Sequence, residues 1–180
     1  GYRWSIDGTY PYRGVGHSIP SLDEVLTEFP SAWFNIDLKE NSNALIQGVS
    51  DLIDKHAAHD RVMIASFHQR ALRKFRKLNP DVPTSAGSAE IIRFILLSKL
   101  GLSDLFTPPF EAFQVPMASG PITIVNATFI NAAHQQGLVV HPWTINDPDE
   151  MRRLIALGID GIITDFPDRL NAILTESTSD

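Results

Sequence analysis

Cysteine is absent from this 180-residue chain. That removes disulfides, thiolate metal sites and cysteine nucleophiles, but leaves the cellular compartment open. Long apolar runs are also missing. The densest stretch, Ile91 to Leu100, is broken by Arg93 and Lys99 and falls far short of the roughly 20 residues that span a bilayer. Positive charge is scarce, with 15 Lys and Arg against 21 Asp and Glu for a net charge of −6. The basic residues form no stripe, so no nucleic-acid partner is expected. H-E-x-x-H, G-x-S-x-G, G-x-G-x-x-G and G-x-x-x-x-G-K are all missing, which argues against zinc-protease, α/β-hydrolase, dinucleotide-binding and P-loop chemistry. The opening Gly1-Tyr2-Arg3-Trp4 carries neither an initiator Met nor a basic-then-apolar leader. The expectation is a trimmed, soluble chain, with the cytoplasm the favoured compartment.

What is present is a globular composition, 43% hydrophobic and 20% charged, and a repeated alternation. Short β-branched or apolar runs predict strands at 33–39, 62–66, 83–86, 112–115, 138–144 and 161–165. Helical spacing follows them over about 43–58, 69–78, from Ser88 as N-cap, over 128–136, from Pro148, and from Pro167. The loop between the fourth strand and its helix holds Pro116, Gly120 and Pro121. Asp147, Pro148 and Glu150 read as cap, first helical residue and capping-box partner. Ser21 and Glu24 form another capping box, before a helix whose apolar face is Val25, Leu26 and Phe29. Thr175 to Asp180 reads as a frayed polar tail. Residues 1–20 read as an irregular N-terminal loop segment, and 21–180 as a single α/β domain.

Strands alternating with helices imply parallel pairing through right-handed crossovers. An open doubly wound sheet and a closed (β/α)₈ barrel both satisfy that rule. The barrel needs eight units and about 250 residues, whereas six strand–helix units and one orphan helix are countable here. A complete small α/β sheet is the simpler alternative.

Tyr10-Pro11-Tyr12-Arg13-Gly14 with Ile19-Pro20-Ser21-Leu22-Asp23-Glu24-Val25-Leu26 resembles the "YPxRG … IPTLEEVL" segment of glycerophosphodiester phosphodiesterases. Asn35-Ile36-Asp37-Leu38-Lys39 is similar to that family's "NIEIK" strand. Ser66-Phe67 is similar to its "SF" turn, with His68 where the family has an acid or amide. His141-Pro142-Trp143-Thr144-Ile145-Asn146 and Gly158-Ile159-Asp160-Gly161-Ile162-Ile163-Thr164-Asp165-Phe166-Pro167 resemble its "VWTVN … GVDGIITDYP" ending. The motifs stand in the family's order over nearly the whole chain. The resemblance implies an incomplete (β/α)₈ TIM-type barrel lacking its first strands, from a parent that hydrolyses glycerophosphodiesters to an alcohol and glycerol 3-phosphate with Mg²⁺ or Ca²⁺. A related phosphodiesterase of lysophospholipids and a non-enzymatic barrel remnant are the alternatives. The family's "HRG" and "ExD" motifs, which carry acid/base histidines and metal carboxylates, do not occur. His59-Asp60 spells "HD" only by chance, at a helix end. The 180-residue chain is therefore expected to turn over little substrate alone, with its catalytic histidines outside it. It is also expected to cover open sheet edges with another copy, a swapped segment or residues 1–20.

Asp37 and Lys39 lie two apart on a strand and leave it on one face. The resemblance makes Asp37 a metal ligand and Lys39 a phosphate contact; a surface ion pair is the plainer reading. Glu40 points the other way. Trp143, on the face of Val139 and His141, is a core residue by type and a substrate-packing rim residue by resemblance. His141 reads as a hydrogen-bonded core histidine. His17 sits on a loop able to reach the site, while His56, His59, His68 and His134 lack ligand spacing and read as surface residues. Arg70, Arg73, Lys74, Arg76 and Lys77 read as a solvated helix face, with attraction to anionic lipid as the sharper alternative. Ile91, Ile92, Ile95 and Leu96 read as a barrel-packing face.

Overall fold

Six extended segments follow one another in chain order around a curled sheet, in a computed structural model that describes residues 7–177. Strand β1 (Phe34–Asp37) pairs in parallel with β2 (Val62–Ala65). β2 meets residues 83–85 through the Ile64–Thr84 bridge, and Ser85 bridges Ala112 at the start of β3 (Ala112–Pro116). β3 pairs in parallel with β6 (Val139–Trp143). Ile163 N–H reaches the Pro142 carbonyl at 3.0 Å and bonds the predicted sixth strand to β6. Residues 83–86 and 161–165 therefore lie where strands are predicted, but their pairing is too short to count as regular strand. Spatial order equals chain order, with no reversal of the kind that creates a doubly wound switch point.

Helices α1 (Leu22–Glu28), α2 (Asn43–Lys55), α3 (Gln69–Leu78), α4 (Ser88–Lys99), α5 (Ala127–Gln135), α6 (Pro148–Ala156) and α7 (Pro167–Ser177) fill the connections. The loop after β3, predicted irregular, holds a two-residue-per-strand hairpin, β4 (Ala118–Ser119) with β5 (Ile122–Thr123). One side of the sheet is apolar and packs under the helices. Ile64 and Leu38 meet Ile46, Ile53, Leu72 and Phe75 in the first core. Phe113, Val115 and Val140 meet Phe94, Phe129, Ile130, Met151 and Leu154 in the second. Phe94 and Phe113 stack with centroids 4.6 Å apart, and Phe129 stands edge-on to Phe94 at 5.5 Å.

The opposite side is polar. Asn35 and Gln114 exchange two side-chain amide hydrogen bonds, both 3.1 Å. They belong to the first and fourth strands, which a flat sheet would hold roughly 14 Å apart. Only a strongly curled sheet brings them together, as in the wall of a barrel.

Several predicted details are corrected. Ser88 is the first helical residue rather than the cap; Gly87 caps α4, and its N–H donates to Glu90 at 2.7 Å. Asp147 does cap α6, accepting from Glu150 N–H, but the Glu150 carboxylate pairs with Arg153 at 2.7 Å instead of returning to the cap. Phe29 is 54% exposed, because α1 is only two turns long and buries Leu26 alone. Helix α7 persists to Ser177, so the polar tail is helical over its first residues; 178–180 lie outside the described residues. Residues 7–20 hold turns and a bridge at Thr9 and are exposed throughout, and residues 1–6 of the expected N-terminal loop segment lie outside the described residues.

Arg76 is not part of a solvated face. It turns inward to Glu90 at 2.7 Å, with Thr84 Oγ1 and the Ser85 carbonyl as further acceptors, and both partners are nearly buried. Burial alone would raise the Glu90 carboxyl, but the Arg76 guanidinium and the Gly87 N–H outweigh it and hold the group below its ordinary 4.5. Arg76→Met strands that carboxylate and should lower unfolding free energy by about 3 kcal/mol in urea titrations. A carboxyl depressed on folding stabilises fully above its unfolded value and loses that contribution as pH falls through the folded one. The stability advantage of wild type over Glu90→Gln should therefore shrink as pH drops below about 4.5.

Candidate active site at the strand ends

The polar side of the sheet opens at the C-terminal ends of the strands into a cavity of about 810 Å³. Alternation along each strand decides what faces it: Asn35 and Asp37 from β1, Gln114 and Pro116 from β3, Trp143 from β6. Ser66 and Ser85 add hydroxyls from the ends of neighbouring segments.

Asp37 and Lys39 stand together here, as their spacing predicts. Lys39 Nζ donates to Asp37 Oδ2. The pair is the ion pair of the plainer reading, and its place is the cavity mouth. The two carboxylate oxygens differ. Oδ1 is buried and has no hydrogen-bond partner among the described residues, which leaves an acceptor open to a cation or donor. Lys39 itself is 73% exposed, yet its backbone is held. Leu38 N–H donates to the Ala65 carbonyl at 2.8 Å, Ser66 Oγ donates to the Leu38 carbonyl at 2.6 Å, and the His68 ring meets the Lys39 carbonyl at 3.1 Å. Strand pairing and the Ser66-Phe67-His68 turn together aim the ammonium into the mouth.

Trp143 is half-buried at the rim, with Phe67 edge-on at 5.8 Å. The Phe67 ring also lies 5.9 Å from Lys39 Nζ, so cation and aromatic wall are neighbours. His141 sits a layer deeper against Gly161. Burial pushes the His141 imidazolium below its ordinary 6.5, with Asp160 opposing the shift. Glu40 is exposed, as predicted.

His17 is exposed, 5.8 Å from the Tyr12 ring, and does not line the cavity. His56, His59 and His134 pair with Asp23, Asp54 and Asp160. No cluster of three or more His, Asp or Glu that could hold a metal occurs among the described residues. Sequence reasoning missed Phe67, Gln114 and the apolar rim. Of the expected packing face, Ile91 and Ile95 do pack against the second core while bordering the cavity, and Ile92 and Leu96 face the cavity at 60% and 58% exposure. Helix α4 is apolar around most of its girth. Phe94 is fully buried in the core, Ile91, Ile95 and Leu97 pack against it, and Ile92 and Leu96 are left to the mouth.

Residues 18–169 match the model of the glycerophosphoryl diester phosphodiesterase family. The chain belongs to this family. It is 33% identical over 165 residues to a probable glycerophosphodiester phosphodiesterase of Mycobacterium tuberculosis, covering 89% of this chain and 62% of that protein. The chain thus spans less than two thirds of that relative. Among solved structures it resembles the phosphodiesterase domain of an uncharacterized Mycobacterium tuberculosis protein, with 14% identity and a TM-score of 0.74 over 98% of this chain and 71% of that one. It also resembles an Oleispira antarctica phosphodiesterase solved with its product sn-glycerol 3-phosphate, with 18% identity and a TM-score of 0.61 over 84% and 58% of the two chains. The fold is a TIM-barrel-like α/β fold.

The phosphodiesterase-family ending has a local physical basis. Asn146 Oδ1 accepts from Asp165 N–H at 3.0 Å and from Thr164 Oγ1 at 3.1 Å, while its Nδ2 donates to Asp165 Oδ2 at 2.9 Å. The "TIN" and "TDFP" segments are therefore one clamp across two loops at the mouth. Beneath it, a Cβ on Gly161 would lie 2.9 Å from His141 Cδ2. Gly161→Ala must displace a ring, and should destabilise the protein by about 1–3 kcal/mol in thermal or urea unfolding. In an NMR titration the His141 ring should protonate below 6.5, with no break at its ordinary value.

Proposed function

We propose that this chain forms the later strands of an eight-stranded barrel and supplies the phosphate-contacting part of a glycerophosphodiester hydrolase. The barrel's first units and its acid/base histidines would be contributed by residues beyond these 180. The products would be an alcohol and glycerol 3-phosphate. The observation that carries the reading is Asp37 and Lys39 paired at a strand end in the cavity mouth, with Asp37 Oδ1 buried and without a hydrogen-bond partner among the described residues.

The residues present fit part of a divalent-cation site. Asp37 Oδ1 is an oxygen donor suited to a hard cation such as Mg²⁺ or Ca²⁺, and a buried carboxylate oxygen without a donor suits the same role. Bound there, such a cation would supply charge to stabilise the phosphorane-like transition state and lower the pKa of an attacking oxygen. One carboxylate holds Mg²⁺ or Ca²⁺ weakly, so further ligands are required.

This chain's own residues bind and orient. Lys39 carries an ammonium with three N–H bonds, one directed at Asp37, leaving two for phosphoryl oxygens. The Ser66 and His68 tethers fix its starting point, so little backbone order remains to be lost when the phosphate binds. The Trp143 face offers a flat apolar wall to the glycerol or the departing alcohol. Ser85 and Gln114 offer polar groups on the floor.

Purified alone, the 180-residue chain should release little or no glycerol 3-phosphate from glycerophosphocholine with Mg²⁺, Ca²⁺ or chelator. The longer parent protein should be active and chelator-sensitive. In that parent, Asp37→Ala should abolish the metal response. Lys39→Ala should lower kcat/KM by about 10–100-fold, the worth of a hydrogen bond to a charged group. Chelator-sensitive turnover by the short chain, or a parent indifferent to both substitutions, would overturn the proposal.

A further inference from the structure

A second concavity, of about 490 Å³, lies away from the strand ends, in the groove between α3, α4 and the segment leading into β3. Among the described residues four cations line it: Arg73, Arg76 and Lys77 from α3, and Arg93 from α4. Its one acid, Glu90, is taken by Arg76 through contacts of 2.7 and 3.2 Å and by the Gly87 N–H. Arg73, Lys77 and Arg93 form no ion pair among the described residues. Four cations against one acid leave three positive charges in excess here, on a chain whose net charge is −6.

The ordinary reasons for surface cations do not account for the three together. The helix dipole favours Lys77, in the last turn of α3, but Arg73 sits mid-helix and Arg93 midway along α4. Arg73 and Lys77 stand four apart on one face, a like-charge spacing that destabilises a helix. Arg93 is held in place without being neutralised: its guanidinium carbon lies 5.5 Å from the centroid of the buried Phe106 ring. Nor does an incomplete barrel open this groove. Units preceding β1 in a closed ring would stand between β1 and residues 161–165, not beside α3 and α4.

We propose that the α3–α4 groove is a binding site for a small organic phosphate monoester, separate from the strand-end cavity. Cations from two helices border one concavity, and planar guanidinium forks suit phosphoryl oxygens. A monoester carries a charge of about −1.5 to −2 near neutral pH, so it answers the excess better than the singly charged diester read into the mouth. The volume falls within the range of small-molecule sites, about 300 to 1,000 Å³, with room for more than a bare phosphate. Ala89, Phe106 and Pro109 offer apolar surface to the rest of the ester. A nucleic-acid strand would instead need a basic track running on past the groove.

The probe is phenyl phosphate, titrated into the purified chain and followed by calorimetry and by NMR at the Arg73 and Arg93 side-chain Nε–H groups. Saturable shifts at both arginines are expected, with affinity several-fold above that for phenyl sulfate, a singly charged analogue of the same shape. Arg73→Glu and Arg93→Glu should each weaken binding about tenfold or more, the worth of a hydrogen bond to a charged group. Arg73→Lys should retain most of it. Arg73→Gln and Arg93→Gln take the place of the acids if either disturbs the circular dichroism spectrum. Lys39→Ala, in the strand-end cavity, should leave binding unchanged. Vesicles of phosphatidylcholine with added phosphatidate identify the source of the phosphate. Capture that the groove substitutions abolish assigns the site to a lipid headgroup, and indifference to the vesicles assigns it to a soluble ester. Absence of saturable shifts, equal affinity for phenyl sulfate, or binding that survives both groove substitutions overturns the proposal. So does binding lost in Lys39→Ala and kept in the groove variants, which puts the ester in the mouth and leaves the phosphodiester reading of that site standing.

Discussion

The mutual amide pair between Asn35 and Gln114 expresses the constraint on which the rest of the molecule depends, the curl of its parallel sheet. Strands three places apart touch through side chains only if the sheet bends through a large part of a circle. That bend turns one face into an outside, which helices cover, and the other into an inside that converges at the strand ends. Without it, Asp37, Gln114 and Trp143 would project from a flat surface at separations no small ligand could bridge. With it, they line one cavity.

The two faces are sorted by alternation and then reinforced differently. Outside, burial does the work: Phe75, Phe94, Phe113, Ile53 and Met151 are fully buried, and each large side chain of this kind is worth about 1.5–3 kcal/mol. Inside, directional bonds do it. Ser66 and His68 tie down the carbonyls of Leu38 and Lys39, and Asn146 ties Thr164 to Asp165. On the helix side Arg76 adds directional bonds of its own: one guanidinium joins α3 to α4 and to the 84–85 segment. Loops at the mouth of a parallel barrel cannot rely on packing, because one of their sides must remain open. Hydrogen bonds to fixed partners give rigidity without closing the cavity.

This division explains what was legible in the sequence. Periodicity in two and in 3.6 reports burial on the outer face, and the helices at 43, 69, 148 and 167 start where pattern and caps predict. The Asp37–Lys39 spacing likewise fixed their shared face. Segments 83–86 and 161–165 were legible as extended chain but not as their degree of pairing, since pairing depends on neighbours distant in sequence. Glu150 shows a different limit: a capping box and an i,i+3 ion pair to Arg153 use the same carboxylate, and the sequence does not rank them. Arg76, Ile92 and Leu96 were misread for one shared reason. A cationic helix face predicts water and an apolar one predicts core, and both rules assume an element with a single partner. Helix α3 meets Glu90 beside its basic side, and α4 has two apolar sides with a core for only one.

The surplus of apolar surface on α4 and the unmatched oxygen of Asp37 are, physically, the same kind of feature. Each is a group whose local environment leaves its free energy above what the fold could otherwise provide. Ile92 and Leu96 in water forgo burial, and a buried carboxylate oxygen without a donor forgoes a hydrogen bond. A fold tolerates such deficits when its cores supply stability elsewhere, and here two separate aromatic and aliphatic clusters do so. These two border the cavity that also holds the Lys39 ammonium. A hard cation at Asp37 Oδ1 would relieve the second of them. Its affinity would then come from interactions that the unliganded protein lacks.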